Sequence, residues 1–230
     1  VLVEAHALAR KPANLSFTEA AAVPLVLITA WEALHDRVAL GDGQQVLIHA
    51  GAGGVGHVAI QLARLAGARI ATTVSTDSKA ELVRELGAGK VILYRDQNVV
   101  EETLEWTGGR GADVVMDNVG GKLFEQSFPA VRVYGDLVTL LQPGTDVNWS
   151  VARQRNLRVS LEVMLTPWLL DISDAQIHQA RILAQARMQF DAGQLKVLVS
   201  EVLPLREAAR AHELIETGST VGKIVLEIDA

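Results

Sequence analysis

The stretch VLIHAGAGGVGHVAIQLARLAG, residues 46–67, decides the fold of this chain. An apolar run, Val46-Leu47-Ile48, feeds a glycine-dense turn, Gly51-Ala52-Gly53-Gly54-Val55-Gly56. The segment that follows puts Val55, Val58, Ala59, Leu62 and Leu65 on one helical face. A strand, a tight turn and a helix in that order aim the first N–H groups of the helix, which have no partner inside it, at one point in space. That point favours an anion, most often a pyrophosphate. On this reading Gly51 permits the turn, Gly53 lets the pyrophosphate approach the backbone, and Gly56 lets the helix pack close on the strand, with Gly54 and Val55 completing the loop. The spacing predicts a dinucleotide site; the alternative is an ordinary glycine-rich β–α turn that binds nothing.

Outward from this stretch the chain alternates. Strands are expected at 46–49, 69–74, 90–94, 113–117 and 136–141, and helices at 54–66, 78–86, 97–106 and 120–130. Short links between alternating strands and helices predict an α/β doubly wound parallel sheet, the Rossmann arrangement. Runs such as DVVMD and LVTLL are too continuously apolar for a one-sided sheet and call for helices on both faces. Upstream, residues 1–10 read as a short strand and its exit. Ser16 and Glu19 have capping-box spacing for a helix, and Pro24 starts a second helix to about Val38. Downstream, 157–165 reads as an edge strand and 173–190 as a long helix, and 199–228 as a small β–α–β portion.

Composition narrows the function classes. A net charge of −6 and 4% aromatic residues give no footprint for nucleic acid or an anionic membrane. With no cysteine there is neither a disulfide framework nor a thiolate metal site within these residues. His6, His35, His49 and His57 lack ligand spacing and read as turn or surface histidines. No apolar stretch has the length of a membrane span and no secretion signal opens the sequence, so a cytoplasmic location is expected. The opening at Val1 reads like the middle of something longer.

The choice of dinucleotide turns on the tip of the second strand. An acid roughly 20 residues after the glycine motif would bind an adenosine ribose 2′-OH. Here the sequence reads Thr73-Val74-Ser75-Thr76-Asp77-Ser78-Lys79, with no acid at the tip itself. Ser75, Thr76 and Lys79 offer hydroxyls and an ammonium to a 2′-phosphate. Tyr94, at the third strand tip, is placed to pack near the ribose, with Arg95 beside it. Asp77 argues the other way unless it is the N-cap of the next helix. NADP is the expected cofactor; for Lys79 alone the alternative is a solvated helix lysine.

With these residues in view, the chain resembles the medium-chain dehydrogenase/reductase family, and most of all its zinc-independent branch, which includes the NADPH:quinone reductases. The resemblance lies in KPANLSFTEAAAVPLVLITAWEAL (11–34), VLIHAGAGGVGHVAIQLARLAGA (46–68), GADVVMDNVGG (111–121) and VLPLREAARAHELIETGSTVGKIVLEI (202–228). It implies the end of an N-terminal GroES-like catalytic domain at 1–20, a cofactor domain at 21–168 and a C-terminal return to the catalytic domain at 169–230. It also implies that Gly51, Gly53, Gly54, Val55 and Gly56 form the pyrophosphate loop and that Ser75, Thr76, Lys79 and Tyr94 hold the phosphorylated ribose. Asn118 and Val119 would line the middle of the cofactor, and Thr29 would lie near the nicotinamide. For Asn118 and Thr29, capping and local turn bonding are the alternatives. The zinc-using members supply a ligand just before the residue that matches Thr29. Leu25-Val26-Leu27-Ile28 stands there, and an aliphatic side chain is no ligand.

The resemblance implies hydride transfer from NADPH to a small molecule, a quinone or the β-carbon of an α,β-unsaturated carbonyl. No catalytic side chain is identified by pattern. Two alternatives stay open: a non-catalytic nucleotide-binding or structural relative, and a zinc-dependent NAD alcohol dehydrogenase. The edge strand at 157–165 suggests a homodimer paired across a two-fold axis.

Overall fold

The computed structural model describes residues 3–228. Two compact units divide the chain: one holds the described residues up to Ile28 together with Met164 onward, the other Thr29–Val163. The sequence reading placed these divisions at 20/21 and 168/169. No helix among the described residues is long and apolar enough to cross a membrane.

The first unit opens differently from expectation. Among residues 3–10 the only regular element is a 3-10 turn at Ala5–Ala7, and Val1 and Leu2 lie outside the described residues. The capping box forms as read: the Ser16 hydroxyl accepts from Glu19 N–H, and a Glu19 carboxylate oxygen accepts from Ser16 N–H at 2.8 Å. Helix α1 (Phe17–Ala21) follows, then α2 (Pro24–Trp31), which begins at the proline because the first helical position needs no N–H partner. Instead of running on as an α-helix to Val38, the chain widens into a π-helical segment over Glu32–Arg37.

In the second unit, strand and helix alternate. The order is β1 (Gln45–Ile48), α3 (Gly56–Leu65), β2 (Arg69–Val74), α4 (Asp77–Leu86), β3 (Lys90–Leu93), α5 (Val99–Trp106) and β4 (Ala112–Asp117). Then come α6 (Lys122–Gln126), β5 (Val131–Thr139), α7 (Ser150–Gln154) and β6 (Arg158–Leu161). The six strands form one sheet in the order β3-β2-β1-β4-β5-β6, every pairing parallel. This is the doubly wound arrangement, with the strand order reversing between β1 and β4. Its strands are buried on both sides in the middle: Val46, Leu47, Ile48, Val114, Val115 and Met116 have no accessible surface.

Two expectations in this unit are corrected. The helix read over 120–130 is only α6 plus a 3-10 turn at Phe128–Ala130, because Pro129 cannot donate to a continuing helix. β5 starts five residues earlier than expected, at Val131 instead of Asp136, and carries an irregularity opposite Ala112/Val114 that leaves Tyr134 at φ 60°. Phe124 and Phe128 pack edge to face at 5.1 Å under one side of the sheet, with Trp149 completing the aromatic cluster.

The first unit resumes with α8 (Thr166–Leu169), α9 (Ser173–Asp191), β7 (Val199–Pro204), α10 (Ala208–Glu216) and β8 (Lys223–Glu227). β7 and β8 form a separate two-stranded parallel sheet, as the β–α–β reading required.

Candidate functional site

The glycine loop joins β1 to α3 at the reversal point of the sheet. Its turn is made differently from the sequence reading. The left-handed residue is Ala50, at φ 52°, and Gly51 has ordinary backbone angles. Gly51 is needed for space: a Cβ there would stand 2.0 Å from Thr72 Oγ1 and 2.9 Å from Ile60 Cδ1. Gly56 behaves as read, since a Cβ would lie 2.3 Å from the Ala50 carbonyl oxygen and 2.8 Å from Gly51 Cα. At Gly53 the same atom would meet the Ala50 carbonyl oxygen at 3.1 Å and Ala50 Cβ at 4.0 Å. The protein's own packing thus demands glycine less at Gly53 than at Gly51 or Gly56.

The N-cap position of α3 is Val55, and no side chain caps the helix. Within its first turn, His57 N–H and Val58 N–H donate to the Gly53 and Val55 carbonyls at 3.2 and 3.1 Å, which leaves the Gly56 N–H at the helix start with the positive end of the dipole behind it. Across the crevice, at the tip of β4, Asp117 is buried and accepts from Val119 N–H, Gly120 N–H and the Thr139 hydroxyl, each at 2.9 Å. Its neighbour Asn118 donates from Nδ2 to the His49 carbonyl at 2.7 Å, which fixes the amide orientation. Asn118 Oδ1 is then left buried with no hydrogen-bond partner among the described residues. A buried acceptor without a donor is costly, so this oxygen suits a ligand N–H or O–H.

Beside the crevice lies a cavity of about 590 Å³. Strand tips supply His49, Ala50, Thr73, Tyr94 and Val119, and apolar side chains of α5 and α6 (Val99, Val100 and Leu123) close it. Tyr94 and Val119, both expected at the cofactor, thus share one cavity. Ser75 is half-buried just beyond β2. Thr76 is exposed and its hydroxyl accepts from Lys79 N–H, so Thr76, not Asp77, is the N-cap of α4. Asp77 is instead the first helical residue, where an acid suits the helix dipole. Lys79 is half-buried one turn along. Thr29 is buried in α2 and does not line the cavity.

The histidine reading also needs correction. His49 and His57 are buried, at 1% and 0% exposure. His57 Nδ1 bonds the Gly53 carbonyl at 2.9 Å. His49 sits directly after β1, with Nδ1 3.3 Å from Thr73 Oγ1 and Nε2 3.0 Å from Ser127 Oγ. Burial pushes its pKa down to about 4, against the opposing pull of the Asp117 charge. A histidine following a three-residue aliphatic run was the available signal for burial at position 49. Nothing in the sequence indicated its partners, which are 24 and 78 residues away.

The sequence profile of the zinc-binding dehydrogenases matches residues 86–226. The 2-haloacrylate reductase of a Burkholderia species is 34% identical over 98% of this chain and 68% of its own length. The chain belongs to the zinc-binding dehydrogenase family. Quinone oxidoreductase 1 of Escherichia coli is 32% identical over 94% of this chain and 66% of its own. Among solved structures, a mycobacterial protein complexed with NADPH superposes with a TM-score of 0.84 at 30% identity, covering 94% of this chain and 66% of that one. An NAD-dependent alcohol dehydrogenase gives 0.88 at 32%, covering 100% and 64%. The chain thus spans about two thirds of these family members, and only 6–9% of the Aspergillus polyketide and hybrid synthetases that it also matches. In this member of the family, the residues before Thr29 are the aliphatic Leu25, Val26, Leu27 and Ile28, the last three buried.

Proposed function

We propose that the chain is the cofactor-binding portion of a zinc-independent, NADPH-dependent oxidoreductase acting on a quinone or an α,β-unsaturated carbonyl. The observation that carries the reading is the uncapped N-terminus of α3, behind a glycine loop at the reversal point of a doubly wound sheet. The Gly56 N–H and the loop backbone would take the diphosphate. Tyr94 would pack beside the adenosine ribose, and Asn118 and Val119 would line the cofactor's middle, with Asn118 Oδ1 accepting there. Thr29 would lie toward the nicotinamide. When bound, the reduced nicotinamide supplies the hydride; the chain supplies position and electrostatics.

Preference for NADPH is supported by Ser75, Thr76 and Lys79, with no acid at the end of β2. The NADPH-complexed neighbour favours the same reading, and the reductase relatives favour a quinone or activated-alkene acceptor. The aliphatic run before Thr29 favours the zinc-free chemistry. We further propose a homodimer through β6, which ends the sheet and leaves Leu161 at 62% exposure.

The test is the affinity for NADPH against NADH, alongside Lys79→Ala. Loss of a charge-assisted contact predicts NADPH binding weakened about 10- to 100-fold, with NADH unchanged. Equal affinities, unmoved by the substitution, refute the 2′-phosphate assignment. NADPH oxidation with a panel of quinones and enones by the complete protein tests the acceptor.

A further inference from the structure

Behind the glycine loop runs a chain of hydrogen bonds whose direction is fixed at both ends. The Ser127 hydroxyl donates to the Leu123 carbonyl at 2.7 Å, so toward His49 Nε2, at 3.0 Å, it must accept. His49 therefore carries its proton on Nε2, and Nδ1 is an acceptor. The group facing Nδ1 is the Thr73 hydroxyl at 3.3 Å, whose oxygen also accepts Ala50 N–H at 3.0 Å. The order is Ala50 N–H to Thr73 O–H to His49 to Ser127 O–H to the Leu123 carbonyl, each hydroxyl donating once. A second proton on the ring would turn Nδ1 into a donor and take from the Thr73 hydroxyl proton the acceptor it has here. The low pKa of His49 agrees with this neutral form.

The chain ends on Ala50, the residue that takes the left-handed turn at φ 52°. A residue with a Cβ pays for that conformation with about 1–2 kcal/mol. Two bonds to Thr73 hold it: Ala50 N–H to the hydroxyl, and Gly51 N–H to the Thr73 carbonyl at 3.0 Å. Only the hydroxyl bond depends on a side chain, and His49 decides which way that hydroxyl points.

We propose that His49 is a positioning residue for the diphosphate loop: as the neutral Nε2–H form it orients the Thr73 hydroxyl, which fixes the Ala50 turn from which the loop amides are aimed. The proposal rests on the dinucleotide reading above. It assigns work to two buried side chains, His49 and Thr73, that touch the diphosphate only through the backbone.

The experiment is a double-mutant cycle on the full chain, with Thr73→Val, His49→Leu and the pair, reading the Kd of NADPH by fluorescence and the thermal midpoint in parallel. Thr73→Val keeps the shape and removes the hydroxyl, and is expected to weaken binding about tenfold. His49→Leu should weaken it similarly, and the pair no more than either alone, because both break one path. His49→Asn, which keeps an acceptor near the Nδ1 position, should restore most of the affinity that His49→Leu loses. Imidazole nitrogen shifts by NMR should report Nε2–H at neutral pH. Additive losses, no rescue by asparagine, or the other tautomer overturn the proposal while leaving the dinucleotide reading intact. A wild-type chain that binds neither NADPH nor NADH overturns both.

Discussion

Gly53 and Gly56 lie three residues apart in one loop, and the geometry predicts opposite consequences when each becomes alanine. At Gly56 the new Cβ would sit 2.3 Å from the Ala50 carbonyl oxygen. Ordinary contact begins at 3.4 Å, so β1 and α3 must part by 3.4 − 2.3 = 1.1 Å, and the obstructing atoms are backbone. Overpacking of this kind costs about 1–3 kcal/mol, offset by about 0.5–1 kcal/mol because alanine is the better helix former. A net loss of about 1–2 kcal/mol lowers the thermal midpoint by about 2–4 °C per kcal/mol for a chain of this size. At Gly53 the shortfall is only 3.4 − 3.1 = 0.3 Å. Reduced freedom of the unfolded chain offsets it by about 0.4–1 kcal/mol, so Gly53→Ala should melt close to wild type. On the proposed dinucleotide reading, its methyl group would obstruct the approach of the diphosphate to the loop backbone. Losing a charge-assisted amide bond there weakens NADPH about 10- to 100-fold. Calorimetric melting and NADPH titration of both variants separate the two roles. A Gly53→Ala chain that binds NADPH like wild type would refute the diphosphate assignment. A Gly56→Ala chain with an unmoved midpoint would refute the packing argument.

Two further outcomes follow from the same geometry. The folded pKa of His49, about 4, lies below its unfolded value, so the unfolded chain binds more protons between the two. Stability should therefore fall as pH drops from about 6.5 to about 4, by about 3 kcal/mol from this group. Urea titrations of wild type and His49→Asn at each pH isolate the effect, and parallel pH profiles would refute it. If β6 is the dimer edge, Leu161→Lys should give a folded monomer by sedimentation. A variant that sediments like wild type would refute that pairing.

What the sequence made legible was periodic or local. The buried parallel strands were visible as aliphatic runs, and the strand–helix alternation gave the doubly wound sheet without any knowledge of contacts. Ser16 and Glu19 announced their capping box because both partners lie within one turn. The helix read over 120–130 failed because its apolar residues continue past Pro129 into a strand of the same character. Apolar periodicity alone does not separate a helix end from a buried strand start.

The site divides along the same line. The glycine loop was legible because it is contiguous, and so was the reason for Gly56, but the reason for Gly51 was not. Gly51 is required by Thr72 and Ile60, side chains from β2 and α3, and the left-handed turn fell on Ala50, a residue type that gives no such signal. The histidine at position 49 shows why burial is harder to read than secondary structure. Its polarity argued for the surface, yet β2 brings Thr73 and the end of α6 brings Ser127 to its two nitrogens, and so a neutral imidazole is buried with both nitrogens partnered. A polar residue at the end of a buried strand is better read by asking which later strand tips and helix ends the topology will bring beside it. In a β3-β2-β1-β4 order, the neighbours of a β1 tip come from β2 and β4, and these supply Thr73 and Asn118. Strand order, once inferred from alternation, thus carries information about the site that no local motif contains.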